Sequence, residues 1–331
     1  MHSPRVAAVA LAGWVPPGST LADLAGCEAT GVATGAQQTI PLASFVAITE
    51  RLAREAGDDL LGWNLGTRYD LAQLGPIHAA LRSARTLGGA LRILVDYFAL
   101  MQDASELSMV VEDGAITIGY RILDPDIWPR HQDAIFTLGI VAQLLRQAPG
   151  AWLAQAQMGV ESDDEARAQL LTQRLGLPCT AGCDGNWLRF PAPWASLPLV
   201  PGGGAPTADL GSLDRLLVQK RRAMSVEERV RALVYRQLGD KRINQQQIAR
   251  QLGMSSRTLR RHLAATETSF QQLVDGCRLR QAAHELRVRR HLSIAQTALR
   301  LGYSEHSTFT RAFSRWSGMP PQSYIRAHAG A

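Results

Sequence analysis

Apolar residues recur at helical spacing along most of the chain, and the period shortens to two only near the middle. Pro41 opens a helix whose stripe is Leu42, Phe45, Val46, Thr49, Leu52, Ala53 and Ala56, with the proline suited to a first turn. Asp58 to Leu65 reads as a short helix ending at Gly66, and Gly75-Pro76 starts another with Ile77, Ala80 and Leu81 inward. Thr86 is placed to cap a helix that buries Leu87, Ala90, Leu91, Leu94, Phe98 and Met101. Leu107–Val111 and Ala115–Leu123 then alternate as strands around Glu112-Asp113-Gly114, a hairpin signal. Asp126–Gln147 returns to helix with Ile135, Leu138, Val141, Ala142 and Leu145 on one side. Trp152–Val160 predicts a strand, Glu165–Leu175 a helix closed by Gly176, and Trp187–Phe190 a short strand before the Pro-rich 191–198. Beyond Val200-Pro201-Gly202-Gly203-Gly204-Ala205-Pro206 every element is helical: Leu213–Ala223, Val226–Leu238, Gln271–Arg287 and the shorter pieces between and after them.

This pattern gives an α+β N-terminal domain followed by an all-α domain. The expected boundaries are a tail over 1–18, a first domain over 19–199, a Pro/Gly-rich linker over 200–212 and a second domain over 213–331. Within the first domain, Leu21–Thr34 reads as a short helix and a Gly-rich turn.

The second domain contains an internal repeat, about 245–263 and 294–313. Ala249 falls on Ala298, Leu252 on Leu301, Gly253 on Gly302 and Ser255 on Ser304, an offset of 49 residues. Past the turn the offset becomes 50: Leu259 falls on Phe309, Arg261 on Arg311 and Leu263 on Phe313. The second turn therefore carries one extra residue. In each unit a small Ala allows a close helix crossing, a Gly suits a left-handed helix end, and a Ser is offered as the next helix's cap. Leu259 with Leu263, and Phe309 with Phe313, share an inward face at i and i+4. The other face carries Arg257, Arg260 and Arg261 in the first unit, and His306, Ser307, Thr310 and Arg311 in the second. These are helix-turn-helix patterns, and such a helix is shaped to enter a DNA major groove.

Charge sharpens the division. Residues 213–331 hold 22 Lys+Arg against 8 Asp+Glu, a balance of +14, whereas residues 1–212 hold 13 against 21, a balance of −8. A basic block beside an acidic one implies a polyanion partner for the basic block alone. At 46% hydrophobic and 19% charged, the 331 residues can bury ordinary cores. No apolar run reaches the roughly 20 residues that span a bilayer, and Arg5–Val15 runs into Pro16-Pro17 with one basic residue, so a soluble cytoplasmic protein without membrane partners is expected.

The second domain resembles the AraC/XylS family of bacterial transcription regulators. The residues that carry the likeness are Ile248-Ala249, Leu252-Gly253-Met254-Ser255, Arg257-Thr258-Leu259, Ser269-Phe270, Leu301-Gly302-Tyr303-Ser304, Phe309, Arg311-Ala312-Phe313 and Gly318-Met319-Pro320-Pro321-Gln322-Ser323-Tyr324. One departure is Thr266-Glu267-Thr268, where family members often have a glycine before the Ser-Phe pair. Gly75-Pro76-Ile77, Leu87-Gly88-Gly89-Ala90-Leu91, Leu188-Arg189-Phe190-Pro191 and Leu197-Pro198-Leu199 resemble a subgroup whose N-terminal part is an arabinose-binding-like domain, although its members do not generally bind arabinose. The resemblance implies an effector-binding and dimerisation domain joined to a double-stranded DNA reader, a small-molecule effector, activation of transcription and hence RNA polymerase as a partner.

The residues expected at DNA are Ser255, Ser256, Arg257, Arg260, Arg261, Ser304, His306, Ser307, Thr310 and Arg311. Arg suits guanine through a two-pronged hydrogen bond, and hydroxyls with backbone N–H groups near Ser255 and Ser304 suit phosphate. A helix of about 16 residues between the units, roughly 24 Å long, together with the widths of the motifs at its ends, would set the two reading helices about one duplex turn, ~34 Å, apart.

Enzyme chemistry is the competing reading. Cys179 and Cys183, four apart in a Pro/Gly-flanked loop, have spacing for a redox pair or soft-metal site, which would make the protein a thiol- or metal-responsive regulator or an enzyme fused to a DNA reader. No third or fourth ligand lies near them in the sequence, and the other cysteines, Cys27 and Cys277, complete no zinc pattern. His131 and Asp133 read as helix-start residues, not a catalytic pair, since no nucleophile motif accompanies them. No catalytic residue, metal or cofactor is therefore expected, and ligand-binding residues are left unassigned.

Overall fold

A computed structural model describes residues 4–7, 10, 14, 39–151, 153–199, 210–238, 243–289 and 292–328. Of the linker expected over 200–212, residues 200–209 lie outside these residues and 210–212 already belong to the helix Leu210–Ala223; Cys27 and the 21–34 element also lie outside. The chain forms two compact units that divide between Val218 and Gln219, with 123–126 grouped with the second.

In the first unit, β1 (Arg5–Ala7) pairs antiparallel with β2 (Thr39–Pro41). This corrects the expectation of a tail over 1–18. Val6, Ala7 and Trp14 are buried in the core, and Arg5 donates to the Thr39 hydroxyl and carbonyl, each at 2.6 Å. The apolar character of the start is core packing, which local sequence does not distinguish from a lead-in.

The helices that follow are α1 (Leu42–Ala56), α2 (Leu61–Gly66), α3 (Pro76–Ser83) and α4 (Leu87–Tyr97). The Thr86 side chain caps α4 by accepting from the Gly89 N–H at 3.2 Å. β3 (Ser105–Glu112) and β4 (Ala115–Ile122) form the hairpin, with Asp113 and Gly114 both at positive φ in its turn. Next come α5 (His131–Arg146), β5 (Gln157–Gly159), α6 (Glu165–Leu175), β6 (Cys179–Thr180) and β7 (Asn186–Pro191). The five-stranded sheet has the order β3-β4-β7-β5-β6, antiparallel except for β5 against β6.

Two expectations change here. The helix expected from Asp126 begins at His131, because Pro129 excludes Trp128 from helical backbone and offers no N–H. The strand expected over 152–160 shrinks to Gln157–Gly159 behind a single turn at Leu153–Gln155, Trp152 lying outside the described residues.

α5 is the axis of this unit. Most of its residues are buried on every side, as it lies against β4 and β7 and is flanked by α1, α2 and α4. Its crossing with α2 is a backbone-to-backbone contact. A Cβ on Gly62 would sit 2.3 Å from the Gln132 carbonyl oxygen, and one on Gly66 would sit 2.2 Å from that of Phe136. No side chain fits there, which is why both positions are glycine. Leu213 and Leu217 of α7 (Leu210–Ala223) are buried in this same core, so the compact division falls within α7 and later than residue 212.

The second unit holds α8 (Val226–Arg236), α9 (Gln245–Gln251), α10 (Ser256–Ala264), α11 (Phe270–Val288), α12 (Ile294–Arg300), α13 (His306–Ser317) and α14 (Pro321–Ala327). It has two separate hydrophobic cores. The first joins Val230 and Val234 of α8 to Ile248, Leu259, Leu263 and Leu273. The second joins Ala298, Leu301, Phe309 and Phe313 to Ala282 and Leu286. The 19-residue α11 belongs to both: Leu273, Val274 and Cys277 pack in the first core, Ala282 and Leu286 in the second. Helix geometry makes it about 28 Å long.

Candidate functional site

Each helix-turn-helix unit is built by the same local bonds. In the first, Gly253 ends α9 at φ +71, and the Met254 N–H reaches back to the Ala249 carbonyl at 3.0 Å. In the second, Gly302 ends α12 at φ +81, and the Tyr303 N–H reaches the Ala298 carbonyl at 2.9 Å. Left-handed glycines with a six-to-one backbone bond close both helices and turn the chain toward the next.

The next helices start differently. The Ser255 hydroxyl caps α10, accepting from the Thr258 N–H at 3.1 Å. In α13 the cap position is Glu305, whose side chain makes no capping bond, so the expected capping role of Ser304 is corrected. The residue inserted in the second turn is the cause: it moves the helix start one position past the serine. Ser304 is exposed in the turn.

On α10 Leu259 and Leu263 are fully buried, while Arg257, Arg260 and Arg261 are exposed on the opposite face and Ser256 is half-buried. On α13 Phe309 and Phe313 are fully buried; His306 and Arg311 are exposed, and Ser307 and Thr310 half-buried. The inserted residue brings the helices into register, with Ser307 at the position of Arg257, Thr310 at that of Arg260 and Arg311 at that of Arg261. Ser307 donates to the Glu305 carboxylate at 3.3 Å, and Arg311 to the Thr308 hydroxyl at 3.4 Å.

A polar cluster that the apolar pattern did not reveal ties α11 to α12. Glu285, buried near the end of α11, receives Arg300 at 3.1 Å, Arg289 at 3.3 Å and the Gln281 amide at 3.0 Å. The three donors compensate a carboxylate that would be costly to bury alone.

In the first unit the buried polar groups gather at the start of α5. Asp133, 1% exposed, accepts from the Tyr120 hydroxyl, which in turn accepts from the Gln102 amide at 2.7 Å. Burial pushes the Asp133 carboxyl up to about 7. Burial likewise pushes the His131 imidazole down to about 3, and no hydrogen bond compensates it. Arg130 and Glu161 form a buried pair at 2.6 Å. Asp133 borders a cavity of about 40 Å³ with Phe45, Phe98 and Phe136. A space of this size is far below the ~150 Å³ that accommodates a benzene-sized molecule. A larger cleft, about 150 Å³, lies between α3, α4 and the end of α5.

Residues 19–199 match the family model of the arabinose-binding domain of AraC transcription regulators, N-terminal, which is more than half of the chain. Residues 248–327 match a helix-turn-helix domain, over the two units just described. The chain belongs to the AraC family of transcription regulators.

This AraC-family chain is 29% identical over 291 residues to the ornithine utilization regulator of Pseudomonas aeruginosa, covering 86% of this chain and 83% of that one. It is 31% identical over 300 residues to the transcriptional regulator VirS of Mycobacterium tuberculosis, covering 87% and 85%. The crystal structure of the transcriptional regulator CdpR from Pseudomonas aeruginosa aligns at 24% identity over 85% of this chain and 90% of that one, with a TM-score of 0.39. The AraC-family protein is a DNA-binding helix-turn-helix transcriptional regulator, and the relatives from Pseudomonas aeruginosa and Mycobacterium tuberculosis are named as regulators.

Burial disfavours the thiolate form of Cys179. Cys179 sits in β6, and burial pushes its thiol up to about 12, with the neighbouring Cys183 adding to the rise. Cys183 donates to the Thr180 carbonyl at 3.5 Å. Neither is in a disulfide, and among the described residues no group of three His, Cys, Asp or Glu could hold a metal. His131 and Asp133 both fall in the first turn of α5, as helix-start residues. Among the described residues no helix is long and apolar enough to cross a membrane.

Proposed function

We propose that the protein activates transcription by reading two successive major-groove segments on one face of DNA, with α10 and α13 as the reading helices. The observation that carries this is the pair of helices in matched register, each burying its i, i+4 apolar pair and exposing the residues opposite. Arg257, Arg260 and Arg261 act at bases or phosphates of one segment; His306, Ser307, Thr310 and Arg311 act at the other. Ser255, Ser256 and Ser304 lie close to the phosphates. The first unit senses a small molecule and pairs with a second copy of the chain, and RNA polymerase is the downstream partner.

The test is selection of genomic fragments by the purified protein at two salt concentrations. A shared site with two read segments about 10 base pairs apart is expected, with affinity falling steeply as salt rises. Replacing Arg261 and Arg311 together by Ala should weaken specific binding by about 1–3 kcal/mol for each arginine that reads a base. Specific binding untouched by the double change would remove both residues from the interface.

A further inference from the structure

The reading helix α13 begins on a charged residue outside the set assigned to DNA above. Glu305 holds the cap position, with extended backbone at φ −134 and ψ 133, and is exposed. The matched register of the two helices puts it at the position of Ser255 in the first helix-turn-helix unit. The two side chains are used differently. Ser255 commits its hydroxyl to the Thr258 N–H, whereas the Glu305 side chain makes no capping bond. Its carboxylate is turned to Ser307, whose hydroxyl donates to it at 3.3 Å. Ser307 lies opposite the buried Phe309 and Phe313, so the carboxylate sits at the N-terminal end of the outer face. Among the described residues no cation pairs with it, and Arg311 donates to the Thr308 hydroxyl at 3.4 Å instead.

The chemistry of that group narrows what it can meet. A carboxylate repels phosphate, so it has no place against the DNA backbone. Its oxygens accept hydrogen bonds and donate none. The donors that bases show in the major groove are the amino groups at cytosine N4 and adenine N6. Adenine sets the acceptor N7 beside N6, where it repels a carboxylate; cytosine sets no acceptor beside N4 on its own base. The N-terminal residues of a reading helix are the ones that reach base edges.

We propose that Glu305 is a specificity-determining residue of the second reading helix: its carboxylate accepts from the N4 amino group of a cytosine, and Ser307 holds it in place. The inference rests on the reading of DNA proposed above and names one base for it. The negative charge opposes binding to any duplex, so Glu305 sharpens the choice of site while lowering affinity in general.

The test uses the full chain and a duplex selected by the wild-type protein. Each base pair of both segments is replaced in turn by the other three, and Kd is read by fluorescence anisotropy. Wild-type protein should prefer cytosine at the Glu305 position by about tenfold. Glu305→Ala should flatten that position alone, and should bind a scrambled duplex more tightly than wild type does at low salt. Glu305→Gln should move the preference to adenine, because glutamine matches the N6 donor and the N7 acceptor together. The side chain makes no capping bond, so both variants should change the melting temperature little. Base preferences left unchanged by both variants overturn the proposal, as does a wild-type site without a cytosine that depends on Glu305. Equal losses at every position, with the melting temperature intact, would mean that Glu305 shapes the helix start and touches no base, and overturn it too. Failure of the DNA reading itself looks different. Wild-type protein would then select no shared site, and this proposal would fall with that reading; a shared site indifferent to Glu305 would reject the proposal alone.

Discussion

The two helix-turn-helix units share a backbone plan and differ where each reading helix begins. α10 starts on a neutral Ser255 cap and exposes three arginines with no acid among them. α13 starts on Glu305 without a side-chain cap and exposes His306 and Arg311, with Ser307 and Thr310 half-buried beside them. A carboxylate at a helix N-terminus favours the helix but opposes an approaching phosphate, since both compete for the same positive end. The cores differ in the same direction. Leu259 and Leu263 fill the first, whereas Phe309, Phe313 and Tyr324 fill the second, with ring centroids 5.8 and 5.3 Å apart along that chain. Under the proposed reading of DNA, the first helix-turn-helix unit would rely on charge and the second on polar groups carried over an aromatic core. One scaffold supports both because the buried pair and the turn glycine set the backbone and leave the outer face free.

Breaking the cores should give the largest effect. Phe313→Ala should cost about 3–5 kcal/mol and Leu263→Ala about 2–5 kcal/mol. The phenylalanine is expected to cost more, because each aromatic pair adds about 0.5–1.5 kcal/mol beyond burial. Urea unfolding of the full chain measures both; equal losses would erase the expected difference between the two cores. The caps come next. Ser255→Ala should cost about 1 kcal/mol, while Ser304→Ala should stay within about 0.5 kcal/mol, as for an exposed residue without a special role. Similar losses from the two would mean that the second serine caps after all. The smallest effect concerns the turn between α10 and α11. Glu267 has φ +55, a left-handed backbone that favours glycine. Glu267→Gly should therefore raise stability by roughly 0.5 kcal/mol, the strain relieved being partly offset by glycine's extra chain entropy. A loss of stability would show that the glutamate side chain contributes more than its backbone costs.

The second unit was more open to reading from sequence because its signals are local and occur twice. Gly253 with Gly302, and Leu259-Leu263 with Phe309-Phe313, each repeat a short-range rule, so one copy checks the other. The departure at Thr266-Glu267-Thr268 was visible only through the family resemblance, and the structure puts Glu267 in the conformation that a glycine would take. Ser304 misled because a one-residue insertion leaves the motif recognisable and moves only the cap. The first unit depends on distant partners. β1 forms only because Thr39–Pro41 lies beside it, and the two-residue β6 has no pattern of its own. α5 reads as one stripe with Ile135, Leu138 and Val141, yet its buried His131, Gln132 and Asp133 are satisfied or enclosed by residues far along the chain. The cleft at Arg82 is a product of packing among five separate segments, and no spacing rule announces such a gap.

A single unbroken helix carries both cores of the second unit, so the angular phase between the two reading heads is written in residue count. Between Cys277, the last anchor of one core, and Ala282, the first of the other, each added residue would turn the second head by about 100° and advance it by about 1.5 Å. Seven added residues would nearly restore the angle, to within about 20°, while lengthening the span by about 10.5 Å. α11 thus acts as a vernier, and the pitch of the duplex decides which of its settings are usable.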